Sequence, residues 1–580
     1  MRRWPDSVAA PRHERAIGWD NSISFKGTVP LFLVFLDDAP INAVTLAPYA
    51  ARRNAPRQPH DLDFGRMKAN SSRNHYLLLI AIIATASILR FHQIGQPFID
   101  ATSWRETDVA GVADNFYRGN WNILNPQVSW NGPGPSYQGM EFQTVSYISA
   151  LLYGVTGQQD WVGRSVSVVF SLWGIFAFYR FVSLVWNKEH ALAAAAFLAI
   201  LPGNFYIDRL FTPDAAMLAL VLTGCWLLTV YLQTEKRRYL VLAGLIGGWG
   251  FLTKLPGMIV GIPMLYATQA TPSSRGMPLT KRNTAIFAAG FLTLIPVIAY
   301  YLWARHLSVS SPPYIFTGGP NWLWQYGLRE WLREAYFLPR LYQHLNLWFW
   351  TKPVMALVAI GLLLPPPQGK SRWLFHYWML GIGIYYFFGA RELVANPTNL
   401  NIVNPAAAAL AGNVLLAIGS FVRRIAGPAV SLVSTGVILL LVCRTGYKHV
   451  EAWGYYPYAK NAHELGVALR ERTQPDDLVV TMAQDTGDPV AIYYSGRRGW
   501  VFPPAETWYR FNWSDGITDE REAIRLLEAL RSNGADWFGV VENQKVRILR
   551  NNPQLAEYLT RTFKLDRQTP DWTIYRIPPK

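Results

Sequence analysis

The chain has 580 residues, of which 16% are charged, 51% hydrophobic and 14% aromatic, with 24 Trp. An ordinary soluble domain carries about 25% charged residues, and here the apolar residues form long blocks with the charges between them. That excludes a cytosolic enzyme, a disulfide-rich scaffold, a coiled coil and a wholly disordered chain, and it points to a polytopic membrane protein.

The net charge of +16 does not argue for nucleic acid. Lys and Arg gather on the cytoplasmic side of membrane proteins, so membrane lipids and lipid phosphates are the partners it suits. Cys225 and Cys443 both lie in apolar blocks, with no metal spacing.

Residues 1–74 are rich in Arg, Pro, Ala and Asp. Their best apolar run, Val29 to Leu36, is too short to span a bilayer, which needs about 20 residues. The segment reads as a disordered cytoplasmic tail. A second reading starts translation at Met67, so that residues 1–66 are not made.

From Tyr76 on, about eleven apolar blocks are candidate spans. They cover 76–91, 164–186, 190–207, 213–233, 239–253, 257–268, 284–303, 353–366, 372–390, 399–421 and 425–443. The pair around Thr253-Lys254-Leu255-Pro256-Gly257 can also be one helix broken at Pro256. With the N-terminus inside, the inner loops hold Lys188, Lys236, Arg237, Arg238, Arg275, Lys281, Arg282, Lys370, Arg372, Arg423 and Arg424. The short outer loops hold only Arg209, Lys254 and Arg391. This asymmetry supports the parity of the count. It delimits a membrane domain over 75–443, with outer loops at 92–163 and 304–352, and an outer C-terminal domain over 444–580.

In the first outer loop, Trp104 to Tyr117 and Glu141 to Tyr153 read as helices, the second lying along the membrane surface. The Trp-rich stretch Asn321–Trp350 reads as an interfacial belt. The C-terminal domain alternates helical patterns at 460–472, 519–533 and 553–563 with strand-like runs at Leu478–Met482, Trp537–Val541 and Trp572–Ile577. The expected fold class is therefore an α-helical polytopic membrane protein with a C-terminal α/β extracytoplasmic domain.

Ionisable residues inside a membrane mark function, and here they gather at the outer span ends. Asp100, Arg105, Glu106 and Asp108 follow the first span. Asp208, Arg209 and Asp214 sit at a turn, Lys254 at the next outer turn, and Arg391 and Glu392 at the end of a late span. Acids and cations at an interface suit transfer of a sugar from a lipid phosphate. An acceptor hydroxyl needs a base, often a carboxylate, and the departing phosphate needs cations.

The stretch Trp104-Arg105-Glu106-Thr107-Asp108-Val109-Ala110-Gly111-Val112-Ala113-Asp114-Asn115-Phe116-Tyr117 resembles the first outer loop of GT-C glycosyltransferases. Glu141-Phe142, Gly157 and Arg164 fit the run into the second span, and Leu201-Pro202 through Arg209 to Pro213-Asp214 resembles the second acidic motif. The likeness is to the bacterial protein-O-mannosyltransferase and lipid A aminoarabinose transferase group. It covers about 75–450, together with Tyr493-Tyr494-Ser495-Gly496-Arg497-Arg498-Gly499-Trp500 in the outer domain. Where that family carries an Asp-Glu pair, this chain has Arg105-Glu106, with Asp108 one turn on. Its late His or Tyr cluster is replaced by Asn396 to Pro405.

The resemblance implies transfer of a hexose or pentose, with inversion, from a polyprenyl-phosphate donor on the non-cytoplasmic face of a bacterial inner membrane. The acceptor would be a lipid, glycan or protein, in lipopolysaccharide or protein glycosylation. Asp108 is the expected base, with Glu106 the alternative. Arg105, Lys254, Arg209 and Arg391 are the expected donor-phosphate ligands. Asp214 and Glu141 are expected to position the acceptor or a divalent cation.

Plainer readings stand beside these. Ser103 to Glu106 is also a capping box, Arg105 and Asp108 can pair on one helix face, and Thr212-Pro213-Asp214 is an ordinary helix start. Lys254 can snorkel to headgroups, Arg391-Glu392 can be a local ion pair, and Arg497-Arg498 can be a solvated charge run. Rival functions are a lipid-linked glycan flippase, which predicts inverted repeats, and a non-catalytic glycan-binding subunit, which predicts dispensable loop acids.

Overall fold

The computed structural model describes residues 60–580, except 120, 275, 315–322, 324–326, 334–336, 484, 486, 508–516 and 580. Residues 1–59 of the predicted tail, and part of the Trp-rich stretch, lie outside the described residues.

The helices run α1 (His60–Phe91), α2 (Ser103–Arg118), α3 (Thr144–Thr156), α4 (Asp160–Val185), α5 (Lys188–Ile200), α6 (Pro202–Ile207), α7 (Asp214–Thr234), α8 (Arg237–Thr253), α9 (Gly261–Ala270) and α10 (Leu279–Ser310). There follow α11 (Leu328–Arg333), α12 (Phe337–His344), α13 (Lys352–Leu363), α14 (Leu374–Ala395) and α15 (Asn404–Trp453). Among the described residues, five helices are long and apolar enough to cross a membrane, or six if the pair Phe337–Phe349 and Lys352–Leu363, bent by 114°, is one span. The other predicted spans fall on shorter helices, except 372–390, which falls on α14, long enough at 22 residues but less apolar. The block 190–207 is split at Leu201-Pro202 into α5 and α6. The block 239–268 is interrupted at Lys254, whose backbone is extended, before a 3-10 turn over Leu255–Val260.

Helix α7 is apolar all round after Asp214 and nearly every residue in it is buried, as a central helix should be. Small residues let its neighbours come close. A Cβ on Gly224 would sit 2.8 Å from the Cα of Gly247 in α8, and one on Gly174 of α4 would sit 3.3 Å from the Cα of Ala219.

Helix α15 is two helices. Gly427 breaks it with φ 87° and ψ 172°, a conformation open to glycine and costly for other residues. Beyond it the chain folds back. The Ser431 hydroxyl donates to the Gly419 carbonyl at 2.7 Å, and a Cβ on Gly419 would meet Thr435 at 3.0 Å. Residues 12 apart in one straight helix would be about 18 Å apart. The two arms match the predicted blocks 399–421 and 425–443, but the second continues to Trp453.

The C-terminal domain adds α16 (Lys460–Arg472), α17 (Val490–Ser495), α18 (Glu520–Ser532), α19 (Glu542–Asn551) and α20 (Pro553–Thr562). Its sheet uses β1 (Asn131–Gly132), β2 (Leu478–Met482), β3 (Arg498–Val501), β4 (Ala535–Val541), β5 (Lys564–Gln568) and β6 (Trp572–Arg576), in the order β1-β3-β2-β4-β6-β5. Strand β2 is parallel to β3 and β4, and the other pairs are antiparallel. Alternation along β2 sends Val479 to one face, against Leu465 and Leu469, and Val480 to the other, with Leu527 and Leu559. The sheet is thus covered by helices on both sides.

Contacts cross the domain boundary predicted at residue 444. Strand β1 comes from the first loop, pairing Asn131 with Trp500. Tyr494 of α17 donates its hydroxyl to Asp160 at the head of α4 (2.7 Å) and accepts the Phe98 N–H (2.6 Å). The first loop and the C-terminal domain therefore form one body at the end of the bundle that bears α2.

Candidate active site

The sequence places the two candidate bases, Glu106 and Asp108, within one turn of α2, and the structure gives them different surroundings. Glu106 faces the bundle. Arg164 grips both its carboxylate oxygens, Nε to Oε1 and Nη2 to Oε2, each at 2.8 Å, and the Phe211 N–H donates to Oε1 at 2.9 Å. Both side chains are fully buried. Burial works against the Glu106 carboxylate, but Arg164 outweighs it and holds the group below its usual range. The structure thus places Glu106, expected as an alternative base, in a buried ion pair with Arg164. Nor does Glu106 close a capping box, since the helix cap at Thr102 makes no side-chain bond.

Arg209 belongs to the same buried layer. Its Nη1 reaches Asp100 at 3.4 Å, its Nη2 donates to the Gln93 carbonyl at 3.0 Å, and its guanidinium lies 4.8 Å from the Tyr455 ring centre. Fully buried, it is not placed to meet a lipid phosphate as expected. Burial and Glu106 together raise the Asp100 carboxyl to about 6, against the pull of Arg164 and Arg209. A second buried group surrounds Asp208, which accepts from Ser171 (2.7 Å), Asn204 (3.1 Å), Asn401 (3.1 Å) and Arg90 (3.4 Å).

Asp108 turns the other way. Its Oδ2 accepts from Arg105 Nη1 at 2.9 Å, and its Oδ1 accepts from the Trp130 indole N–H at 3.2 Å. Burial raises its carboxyl above the ordinary range in spite of Arg105. Arg105 bridges onward, with Nη2 2.6 Å from Glu141 Oε2. Burial opposes the Glu141 carboxylate, yet Arg105 and Lys254 bring it below its usual value.

Lys254 and Asp214 form the other half of this cluster, 2.8 Å apart and nearly buried. Lys254 therefore does not snorkel, and Asp214 heads α7 without capping it. The extended residue between α8 and the 3-10 turn is what turns the Lys254 side chain inward. Helix α3 brings Glu141 to it, because Thr144 meets Thr253 at 2.7 Å and accepts from the Trp249 indole at 3.0 Å. Glu141 itself precedes α3 rather than opening it. Beyond the pair, Tyr385 of α14 lies within electrostatic reach of both Asp214 and Glu392. Arg391 sits beside Glu392, two residues past the kink at Gly389, and is half-buried.

The structure thus joins Asp108, Arg105, Glu141, Lys254 and Asp214 in one group and moves Glu106 and Arg209 into another. Side-chain exposure is 26% for Arg105 and 12% for Glu141, while Asp108 is as fully buried as Glu106, Arg164 and Arg209. Trp130, the second partner of Asp108, carries no motif. Arg90 and Arg164 could have been found, as arginines inside or at the head of apolar helices that need a buried partner.

The donor set does not fit a divalent cation. Asp214 is occupied by Lys254, and among the described residues no three His, Cys, Asp or Glu side chains come together to hold a metal.

With this geometry in view, solved structures superpose on the chain. ArnT from Cupriavidus metallidurans bound to undecaprenyl phosphate matches with a TM-score of 0.54 and 12% identity, over 86% of this chain and 99% of that one. The chain has the GT-C fold. Two further GT-C structures agree. The oligosaccharyltransferase of Archaeoglobus fulgidus gives a TM-score of 0.55 at 13% identity, over 85% of this chain and 73% of its own. The arabinofuranosyltransferase AftD from Mycobacteria gives 0.52 at 14%, over 87% and 40%. The family model for dolichyl-phosphate-mannose-protein mannosyltransferase matches residues 144–303 of this GT-C chain. That segment contains Arg164, Asp214 and Lys254 but stops short of α2 and Asp108. No curated protein matches the sequence.

Proposed function

We propose that this chain is a membrane glycosyltransferase that moves a sugar from a polyprenyl phosphate to an acceptor hydroxyl at the outer face of a bacterial inner membrane. The observation that carries the reading is the group Asp108–Arg105–Glu141 beside Lys254–Asp214: a carboxylate of raised pKa next to cations, at a bundle end covered by a second domain.

In this mechanism the donor phosphate competes with Glu141 and Asp214 for Arg105 and Lys254. Arg105 supplies a planar fork and Lys254 a point charge. As Arg105 turns toward the phosphate, Asp108 loses its counter-charge and becomes a stronger base. Asp108 takes the proton of the acceptor hydroxyl. The freed oxygen bonds to C1 of the sugar from the face opposite the phosphate, and the C1–O bond to phosphate breaks with inversion. Its electron pair leaves on the phosphate, where Arg105 and Lys254 balance the charge. Asp214 and Glu141 hold the cations in position between turnovers. Arg209 and Glu106 support α2 from behind through Asp100 and Arg164. The acceptor is a lipid, glycan or protein of the cell envelope, and the sugar a hexose or pentose.

The test is a transfer assay on purified protein in lipid, with a panel of polyprenyl-phosphate sugars and envelope extracts. Donor-dependent release of polyprenyl phosphate is expected from the wild type. In Asp108→Asn it should fall by a factor of about 10² to 10⁴. Full release by a correctly inserted Asp108→Asn protein would remove Asp108 from the role of base. Failure of the wild type to release phosphate from any donor would count against the transferase reading.

A further inference from the structure

Between α2 and the C-terminal domain lies a cavity of about 420 Å³. Thr107, Asp108 and Gly111 form its wall on α2, and Trp130, hydrogen-bonded to Asp108, lines it beside them. The opposite wall is Ile492, Tyr493 and the Gly496-Arg497-Arg498 turn.

The charges around this space do not cancel. The Asp108 carboxylate is taken up by Arg105, and that of Asp114 by Arg118 at 2.8 Å. Arg497 and Arg498 also line the cavity, and among the described residues neither has an ion-pair partner. Arg497 spends its donors on the carbonyls of Arg470 and Thr473 at the end of α16, so it contributes charge alone. Asp477 is within electrostatic reach of it, but so are Arg470 and Arg118. Arg498 donates to Asn115 (3.2 Å) and to the Val128 carbonyl (3.1 Å), while its Nε is buried with no hydrogen-bond partner. An unsatisfied buried donor on a cation is costly and is relieved by an anion.

Gly111 supplies an independent observation. It lies inside α2, where glycine is less favourable than alanine. A Cβ there would meet nothing within 4 Å. The helix therefore leaves space on the cavity wall one turn from Asp108.

We propose that this cavity seats an anionic group of the acceptor, a phosphate or carboxylate on the sugar to be extended, with Arg498 as its ligand. This rests on the transferase reading, and it deepens it by giving the acceptor a charge. An acceptor held by its anion on the Arg498 side can present a neighbouring hydroxyl past Trp130 to Asp108. The plainer view of Arg497-Arg498 as a solvated run does not hold, since both are partly buried.

The experiment is binding without turnover. Purified protein in lipid nanodiscs, with no donor, is titrated with a hexose 6-phosphate, a hexuronate and the neutral hexose, followed by saturation-transfer NMR. Saturable binding of at least one anion is expected, with the neutral sugar at least tenfold weaker. Arg498→Gln should weaken the anion about tenfold, and Gly111→Phe should abolish binding by filling the space. Asp108→Asn, which loses transfer, should bind the anion at least as tightly as wild type. The tighter of the two anions identifies the group. No saturable anion binding, equal binding of the neutral sugar, or anion binding untouched by both variants would overturn the proposal. Anion binding by a protein that transfers no sugar would instead sink the transferase reading and leave the anion site standing.

Discussion

Glu106 and Asp108 are two residues apart on one helix, and their environments shift the two carboxyl groups in opposite directions. Glu106 is a buried anion gripped by Arg164 and the Phe211 N–H. Glu106→Gln leaves buried Arg164 with Asp100, at 3.4 Å, as its remaining carboxylate, beside its bond to the Gln96 carbonyl. Removing one partner of such a pair costs about 3–5 kcal/mol. The sign with pH follows from the lowered pKa of Glu106. Its stabilisation is present above the ordinary carboxylate range and is lost as pH falls through the lowered value. The gap between wild type and Glu106→Gln should be wide at neutral pH and close on acidification, in thermal unfolding of the purified protein. Asp108 has the opposite shift, so its ionised form is the disfavoured one, and Asp108→Asn should melt no lower than wild type. Equal melting of wild type and Glu106→Gln at pH 7 would refute the assignment. The sequence shows both acids and the Arg105–Asp108 spacing, but not which side of α2 meets Arg164. That depends on a contact 58 residues away.

At the scale of elements, apolar blocks are legible because a bilayer demands length and hydrophobicity together. Blocks 399–421 and 425–443 are readable as two spans, and the structure breaks the helix between them at Gly427. Strands β2, β4 and β6 are readable as short apolar runs, which the sheet buries almost throughout. Strand β5, Lys564–Gln568, was not, because it is exposed along its whole length and carries charge, as edge strands do. Strand β1 is the dipeptide Asn131-Gly132, and only its distant partner Trp500 makes it a strand. The hairpin at Gly427 gives a direct test. Gly427→Ala must force φ 87° on a residue with a Cβ, which costs about 1–3 kcal/mol. Gly436→Ala, in the second arm with open space around its Cβ, should be neutral or stabilising by up to about 1 kcal/mol. Denaturant or thermal unfolding of the two variants should move in opposite directions. A shared direction would mean that Gly427 is not the turn.

At the scale of the molecule, the proposed chemistry depends on which side of the membrane carries α2 and the C-terminal domain. The fold ties them together through β1–β3 pairing and through Tyr494 on Asp160, so the two must face the same compartment. The opposite bundle end carries Lys236, Arg237 and Arg238 between α7 and α8, and Arg423 and Arg424 before the Gly427 turn. Both groups are basic, and basic loops stay in the cytoplasm. The orientation is testable by thiol labelling in sealed cells. Cys225 is buried and Cys443 half-buried, so both are first replaced by Ala. Lys564 and Arg237 are exposed and suit single-cysteine substitution. Lys564→Cys should react with a membrane-impermeant maleimide once the outer membrane is opened, and Arg237→Cys only after the inner membrane is lysed. Reaction in the reverse order would place Asp108 in the cytoplasm. A carrier-linked sugar presented outside could not then be its substrate, whatever the geometry of Arg105 and Lys254.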